Sequence, residues 1–247
     1  MSRAPLTLRK YQPKDREGIR RLCVEVAVFG KPLDTWLDVD PEIFADIFTS
    51  YYTDYEPQST FVAISEGRVV AYLALCTDTR RSERLVNYII LPRCAVKILS
   101  GRYRLGWKWI PLVWYSILEM VKYGKIHLPL AEYPAHFHLN IAPKFRRDRR
   151  LWLQVVPTFL KHALENGAVR VHGLGITKRG EFERTYANFG FKILKKQPCL
   201  IRRTVTKEEV FWLLIGADLN EWIKDLPPAF KRFFKLEEDV REVEEGV

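Results

Sequence analysis

The stretch from Ala135 to Gly167 constrains this chain more than any other. Ala135-His136-Phe137-His138-Leu139-Asn140-Ile141 alternates polar and apolar residues, so a strand is predicted at 136–141. His136, His138 and Asn140 share one face of it, and Phe137, Leu139 and Ile141 point the other way into a core. The run Lys144-Phe145-Arg146-Arg147-Asp148-Arg149-Arg150 follows, and then an amphipathic helix at about 151–166, stopped by Asn166-Gly167. A strand that feeds a helix through a short loop turns backbone N–H groups and the positive helix end outward, which suits phosphate oxygens. Five basic residues in that loop reinforce the expectation.

Around this unit the chain alternates strand and helix signals. Leu6-Thr7-Leu8-Arg9 reads as a short strand. Pro13-Lys14-Asp15 opens a helix carrying Ile19, Leu22, Val26 and Phe29, which should end near Gly30. A second helix is predicted from Pro41 to about Tyr52, broken by Glu56-Pro57-Gln58. The runs 60–64 and 69–75 flank Ser65-Glu66-Gly67-Arg68 and predict a β-hairpin. Residues 78–133 interleave basic side chains with Tyr103, Trp107, Trp109, Trp114 and Tyr115; they read as a helical insertion whose individual helices the pattern does not place. After the central unit come a strand at 169–176, a short helix at about 180–189, and strands at about 191–203 and 209–217 joined across Thr206-Lys207-Glu208. The expected organisation is one domain over 1–218, with the insertion at 78–133, then a C-terminal helix and acidic tail over 219–247.

Composition narrows the function classes. With 247 residues, 47% hydrophobic and 28% charged, the chain has the makings of a folded core. A net charge of +10, despite the acidic run from Glu237 to Glu245, favours a phosphate-bearing or polyanionic partner: nucleic acid, an acidic membrane or a phosphorylated cofactor. Cysteines at 23, 76, 94 and 199 lack paired CxxC spacing, which argues against a zinc site or a disulfide framework and for buried, reduced thiols. No apolar signal core stands at the N-terminus, and the most hydrophobic stretch, Ile110 to Val121, is shorter than the roughly 20 residues that span a bilayer. These features predict a cytoplasmic protein without a membrane anchor and without a metal.

The strand, basic loop and helix, together with Tyr186-Ala187-Asn188-Phe189-Gly190-Phe191, resemble the GNAT superfamily of acyl-CoA-dependent N-acetyltransferases. In that family the fourth strand runs into a pyrophosphate loop of pattern Q/R-x-x-G-x-G/A, and a Tyr-x-x-x-Gly-Phe segment follows. Arg9, Pro13, Asp15 and the hairpin at 60–75 are similar too. The resemblance implies an α/β (α+β) fold: a central mixed, mostly antiparallel twisted sheet of about seven strands, flanked by helices, with the insertion between the third and fourth strands.

It also implies an acetyl-CoA donor, an amine acceptor that is a small molecule or peptide, and a set of site residues. Leu139, Asn140 and Ile141 would line the pantetheine arm, and Arg146, Arg147, Asp148, Arg149, Arg150 and Leu151 would form the pyrophosphate loop. Tyr186 would protonate the departing thiolate, and His136, with His138 two residues on, would stand where some members place a base. Two positions depart from the family. Arg149 and Leu151 replace the loop glycines, where the backbone comes close to a ligand, and Arg179 replaces an asparagine that often precedes the tyrosine. Three readings therefore stand: an N-acyltransferase, a non-catalytic module that binds CoA or an acidic partner, and a basic nucleic-acid-binding protein. The last has charge but no recognised nucleic-acid signature.

The segment from Leu236 to Val247 has too few apolar residues to bury much surface. Truncation after Lys235 is expected to leave thermal unfolding essentially unchanged; a large fall in Tm would show that this segment docks on the fold.

Overall fold

The structure, a computed structural model, describes residues 5–27, 32–35, 39–178, 191–204, 208–226, 228 and 230. Among them, strands β1 (Leu6–Lys10), β2 (Thr60–Ser65), β3 (Arg68–Cys76), β4 (Ala135–Ile141), β5 (Arg170–Lys178), β6 (Lys192–Pro198) and β7 (Val210–Asp218) form one sheet. Its order is β1-β2-β3-β4-β5-β7-β6, and every neighbouring pair is antiparallel except β4 with β5. This is the mixed, mostly antiparallel seven-stranded sheet expected, with the insertion between the third and fourth strands.

Alternation along β3 divides the molecule into two layers. Tyr72 points toward α1 (Arg16–Glu25), where Ile19, Leu22 and Cys23 pack on Val62 and Val69. Ala71, Leu73 and Leu75 point to the opposite face, against Leu151, Val155, Phe159 and Leu160 of α6 (Arg149–Glu165) and Trp222 of α7 (Leu219–Asp225). Helix α1 lies very close to the sheet: a Cβ on Gly18 would stand 2.5 Å from the Val69 side chain. At the head of α1, Asp15 accepts the Gln12 N–H at 2.8 Å and both guanidinium nitrogens of Arg9 at 2.6 and 2.8 Å. The helix proper therefore begins one 3-10 turn after Pro13.

Between β3 and β4 run α3 (Thr79–Leu85), α4 (Leu91–Leu99) and α5 (Trp109–Tyr123), with a π-turn at Val86–Ile90 linking the first two. Two buried acids fasten this insertion. Asp46 of α2 (Pro41–Ser50) accepts Arg20 Nη1 at 2.6 Å, Lys97 Nζ at 2.5 Å and the Tyr103 hydroxyl at 2.8 Å. Glu119 of α5 accepts the Leu200 N–H at 2.6 Å and the Trp212 indole N–H at 2.7 Å.

Two expectations are adjusted. Helix α2 stops at Ser50 and passes into a π-turn at Tyr51–Tyr55. The strand expected to reach residue 203 ends at Pro198, which has no N–H for the ladder, and Leu200–Thr204 form a 3-10 turn. All four cysteines are buried free thiols, as expected. The short helix expected at 180–189 and the acidic tail lie outside the described residues.

Burial alone would push the Asp46 carboxyl up, but hydrogen bonds from Lys97, Tyr103 and Arg20 outweigh it and hold the group below its ordinary value of 3.8. Its contribution is therefore complete above that value and is lost as pH falls through the lower folded-state value. Asp46→Ala leaves the buried Arg20 guanidinium to the more exposed Glu42 and removes the acceptor of Lys97 and Tyr103, and should lower stability by about 3–5 kcal/mol at neutral pH in urea unfolding. A loss below about 1 kcal/mol, the scale of an exposed ion pair, would contradict this anchoring role.

Candidate active site

The centre of the site is a gap in the sheet. β4 and β5 pair in parallel at only two positions, Ala135↔Val171 and His136↔His172, and then diverge. Each stays bound on its other side: β4 to β3 through six pairs, and β5 to β7 through nine. The Ala142 N–H donates to the Val70 carbonyl at 2.8 Å, so the even-numbered residues of β4 bond to β3. The backbone groups of Leu139 and Ile141 consequently face the gap. Phe137 fills its base, packed on Phe159 and Phe191 at ring distances of 5.3 and 5.5 Å. Gly173 makes room for it, because a Cβ there would sit 3.0 Å from the Phe137 ring.

One face of β4 carries a polar row. His136 pairs through Nε2 with the Tyr52 hydroxyl at 2.9 Å and through Nδ1 with the Thr79 hydroxyl at 2.7 Å. The Asn140 amide donates to the Tyr72 hydroxyl at 2.6 Å and lies 3.4 Å from His138 Nε2. The rings of Tyr52 and Tyr72 flank His138 at 5.5 and 5.4 Å, and His172 stands 5.5 Å from His136. Both β4 histidines are half-buried. Desolvation, aided by His172 and His138, pushes His136 down to about 3; desolvation brings His138 to about 4. The same loss of water lifts the Tyr52 and Tyr72 phenols far above their usual range. Tyr52, Thr79 and Tyr72 were not among the residues singled out from sequence; they sit on other elements, 84, 57 and 68 positions from their β4 partners.

The loop after β4 is folded on itself. Pro143–Phe145 form a 3-10 turn, the Phe145 N–H donates to the Ala142 carbonyl and the Asp148 N–H to the Phe145 carbonyl. Asp148 caps α6, accepting the Arg150 N–H at 2.9 Å and an Arg150 guanidinium nitrogen at 2.7 Å. A carboxylate already stands at the positive helix end. Leu151 is fully buried in the core, so only its backbone borders the loop, and its N–H donates to the Asp148 carbonyl at 3.1 Å. Arg146 turns back toward the strand, its Nε donating to the Ile141 carbonyl at 3.3 Å. Lys144, Arg146, Arg147 and Arg149 are exposed. The structure thus brings His136, His138, Leu139, Asn140 and Ile141 to one strand and residues 146–151 to its mouth. Arg179 and Tyr186 lie outside the described residues. Among the described residues no group of three or more His, Cys, Asp or Glu is placed to hold a metal ion.

Imidazoles whose folded-state values lie below the ordinary 6.5 stabilise the fold fully above that value, and the contribution is lost as pH falls. Stability should therefore drop between about pH 6.5 and 4, and the His136→Gln/His138→Gln variant should show a shallower drop. NMR titration should show both rings still neutral at about pH 5, with His138 beginning to protonate only as pH approaches 4. A midpoint near 6.5 for either ring would contradict the desolvation argument.

No protein-family model matches the sequence, and no curated protein matches it. Solved structures do. SsHAT is 24% identical, with a TM-score of 0.63 over 87% of this chain and 98% of its own. A polyamine N-acetyltransferase from Drosophila melanogaster, an enzyme that forms N-acetylagmatine, is 16% identical, with a TM-score of 0.54 over 87% of this chain and 100% of its own. The chain therefore has the GNAT-like fold.

Proposed function

We propose that this protein is a GNAT-type N-acyltransferase that moves an acetyl group from acetyl-CoA to an amine by direct attack within a ternary complex. The observation that carries this reading is the gap between β4 and β5, which presents the backbone of Leu139 and Ile141 to an extended ligand. Acetyl-CoA would supply the activated acyl group. In this reading Leu139, Asn140 and Ile141 hold the pantetheine arm, and strand N–H groups polarise the thioester carbonyl. The amine nitrogen forms the new C–N bond as the C–S bond breaks; the nitrogen gives its proton to solvent water, and the Tyr186 hydroxyl gives one to the leaving thiolate and is reprotonated from solvent. The acceptor is a small-molecule or peptide amine.

Two features shape the reading. With Asp148 at the head of α6, the phosphates are met by the exposed side chains of Lys144, Arg146, Arg147 and Arg149 rather than by a cradle of N–H groups. Arg150 stabilises Asp148 and Leu151 shapes the loop from beneath; the family resemblance would add Arg179 as a further contact to the cofactor. An imidazole whose conjugate acid is as strong as that of His136 or His138 is a poor acceptor for an ammonium proton. We therefore assign the two histidines to ordering the wall beside the acyl group and take the acceptor to enter as the free amine.

The Asp148 cap also favours a second reading, a non-catalytic module that binds CoA or an acidic partner. Calorimetry with CoA and a thioester-consumption assay with a panel of amines separate the two. The first reading predicts CoA binding and amine-dependent turnover, with Tyr186→Phe lowering kcat by about 10²–10⁴-fold at little change in CoA affinity. Binding without turnover supports the module, full turnover in Tyr186→Phe refutes the proton-donor role, and failure to bind CoA overturns the first reading and leaves only a module that recognises an acidic partner.

A further inference from the structure

Helix α5 is built inside out. Its one buried residue is Glu119, and the face it turns to the protein also carries Tyr115 and Ser116. Its solvent face is apolar: Trp109, Ile110, Trp114, Ile117, Met120 and Val121 are 38–76% exposed. At 100° per residue these six lie within half of the helix circumference, so they form one continuous stripe. Side chains of this size at such exposure exceed the few hundred Å² of contiguous apolar surface that monomers usually present. Trp107, 69% exposed, extends the stripe at its N-terminal end.

Charge decides what covers it. Residues 84–131 contain eight lysines and arginines and a single acid, Glu119, which is buried. Arg102, Arg104, Lys108, Lys122 and Lys125 are exposed and stand before or at the ends of α5. A second copy of this chain seated on the stripe by a twofold axis would bring like charges together. A partner rich in anions and apolar depth meets the same surface without conflict. Tryptophans beside lysines on an apolar helix face are the composition of a segment lying in the headgroup boundary of a bilayer. Fifteen residues rise about 22 Å, short of the roughly 30 Å hydrocarbon core, so such a helix lies in the interface rather than across it. Consistent with that, no helix among the described residues is long and apolar enough to cross a membrane.

We infer that α5 is a docking surface for an anionic lipid bilayer, with the stripe from Trp109 to Val121 entering the headgroup region and the flanking lysines and arginines meeting lipid phosphates. This inference is independent of the acyltransfer reading. The test is co-sedimentation of the full chain with phosphatidylcholine vesicles, alone or with about one third phosphatidylserine. The wild type should partition at least about tenfold more strongly onto the anionic vesicles, and added salt should weaken that preference. Trp114→Glu/Val121→Glu should remain folded by circular dichroism, since both side chains are exposed, yet lose about tenfold or more in partitioning. Lys108→Glu/Lys122→Glu/Lys125→Glu should lose the anionic preference. Wild type that stays unbound, equal binding to both vesicle types, or undiminished binding of the tryptophan–valine variant would overturn the inference. So would a dimer in sedimentation equilibrium that Trp114→Glu abolishes without any lipid binding, which would assign the stripe to a second copy.

Discussion

Everything at the centre of this molecule depends on two adjacent parallel strands being pulled apart. β4 follows β3 and β5 follows β7, because the six and nine register pairs on those sides far outweigh the two that join β4 to β5. The Phe137 ring, seated where Gly173 has no side chain, fills the widening space from below. Backbone N–H and C=O groups seldom remain unpaired in a fold. A sheet that opens in its middle therefore presents a ready ladder for an extended, amide-bearing ligand, with α6 beginning at the mouth of the opening.

The two buried acids outside this opening serve the insertion. Asp46 gathers charges from α1 and α4, and Glu119 ties α5 to the turn after β6 and to β7. Both satisfy groups separated by long stretches of chain, so they fix geometry rather than report chemistry. The helices they hold lie between the third and fourth strands, beside the polar row of β4: Thr79, at the start of α3, pairs with His136. An insertion that touches the site can shape what reaches it, and among the described residues it also carries most of the exposed large apolar side chains.

Much of this was legible in residue order. The alternation of His136, Phe137, His138, Leu139, Asn140 and Ile141 predicts a strand with a polar and an apolar face, and β4 has both: Phe137, Leu139 and Ile141 join the core under α6, while His136 and Asn140 on the other face bond Tyr52, Thr79 and Tyr72. The helix stop at Asn166-Gly167 and the hairpin at Gly67 are equally local signals. Helix α5 was not legible for a physical reason: its apolar residues face solvent and its acid faces the protein, the inverse of the pattern that periodicity detects. The partners Tyr52, Thr79 and Tyr72 are set by tertiary packing, and no spacing rule reaches that far. The loop carries two signals at once. Its five basic residues advertise an anion site, while Asp148 directly before the helix carried a capping signal that places a carboxylate at the same spot.

The central claim is that the opening between β4 and β5 receives an acyl-CoA. Backbone amide NMR during titration with acetyl-CoA tests it most directly. The account predicts saturable shifts concentrated at Leu139 and Ile141 and at the first turn of α6, with little change along α5. Saturable binding that leaves β4 unmoved, or no shift anywhere at millimolar acetyl-CoA, would contradict it.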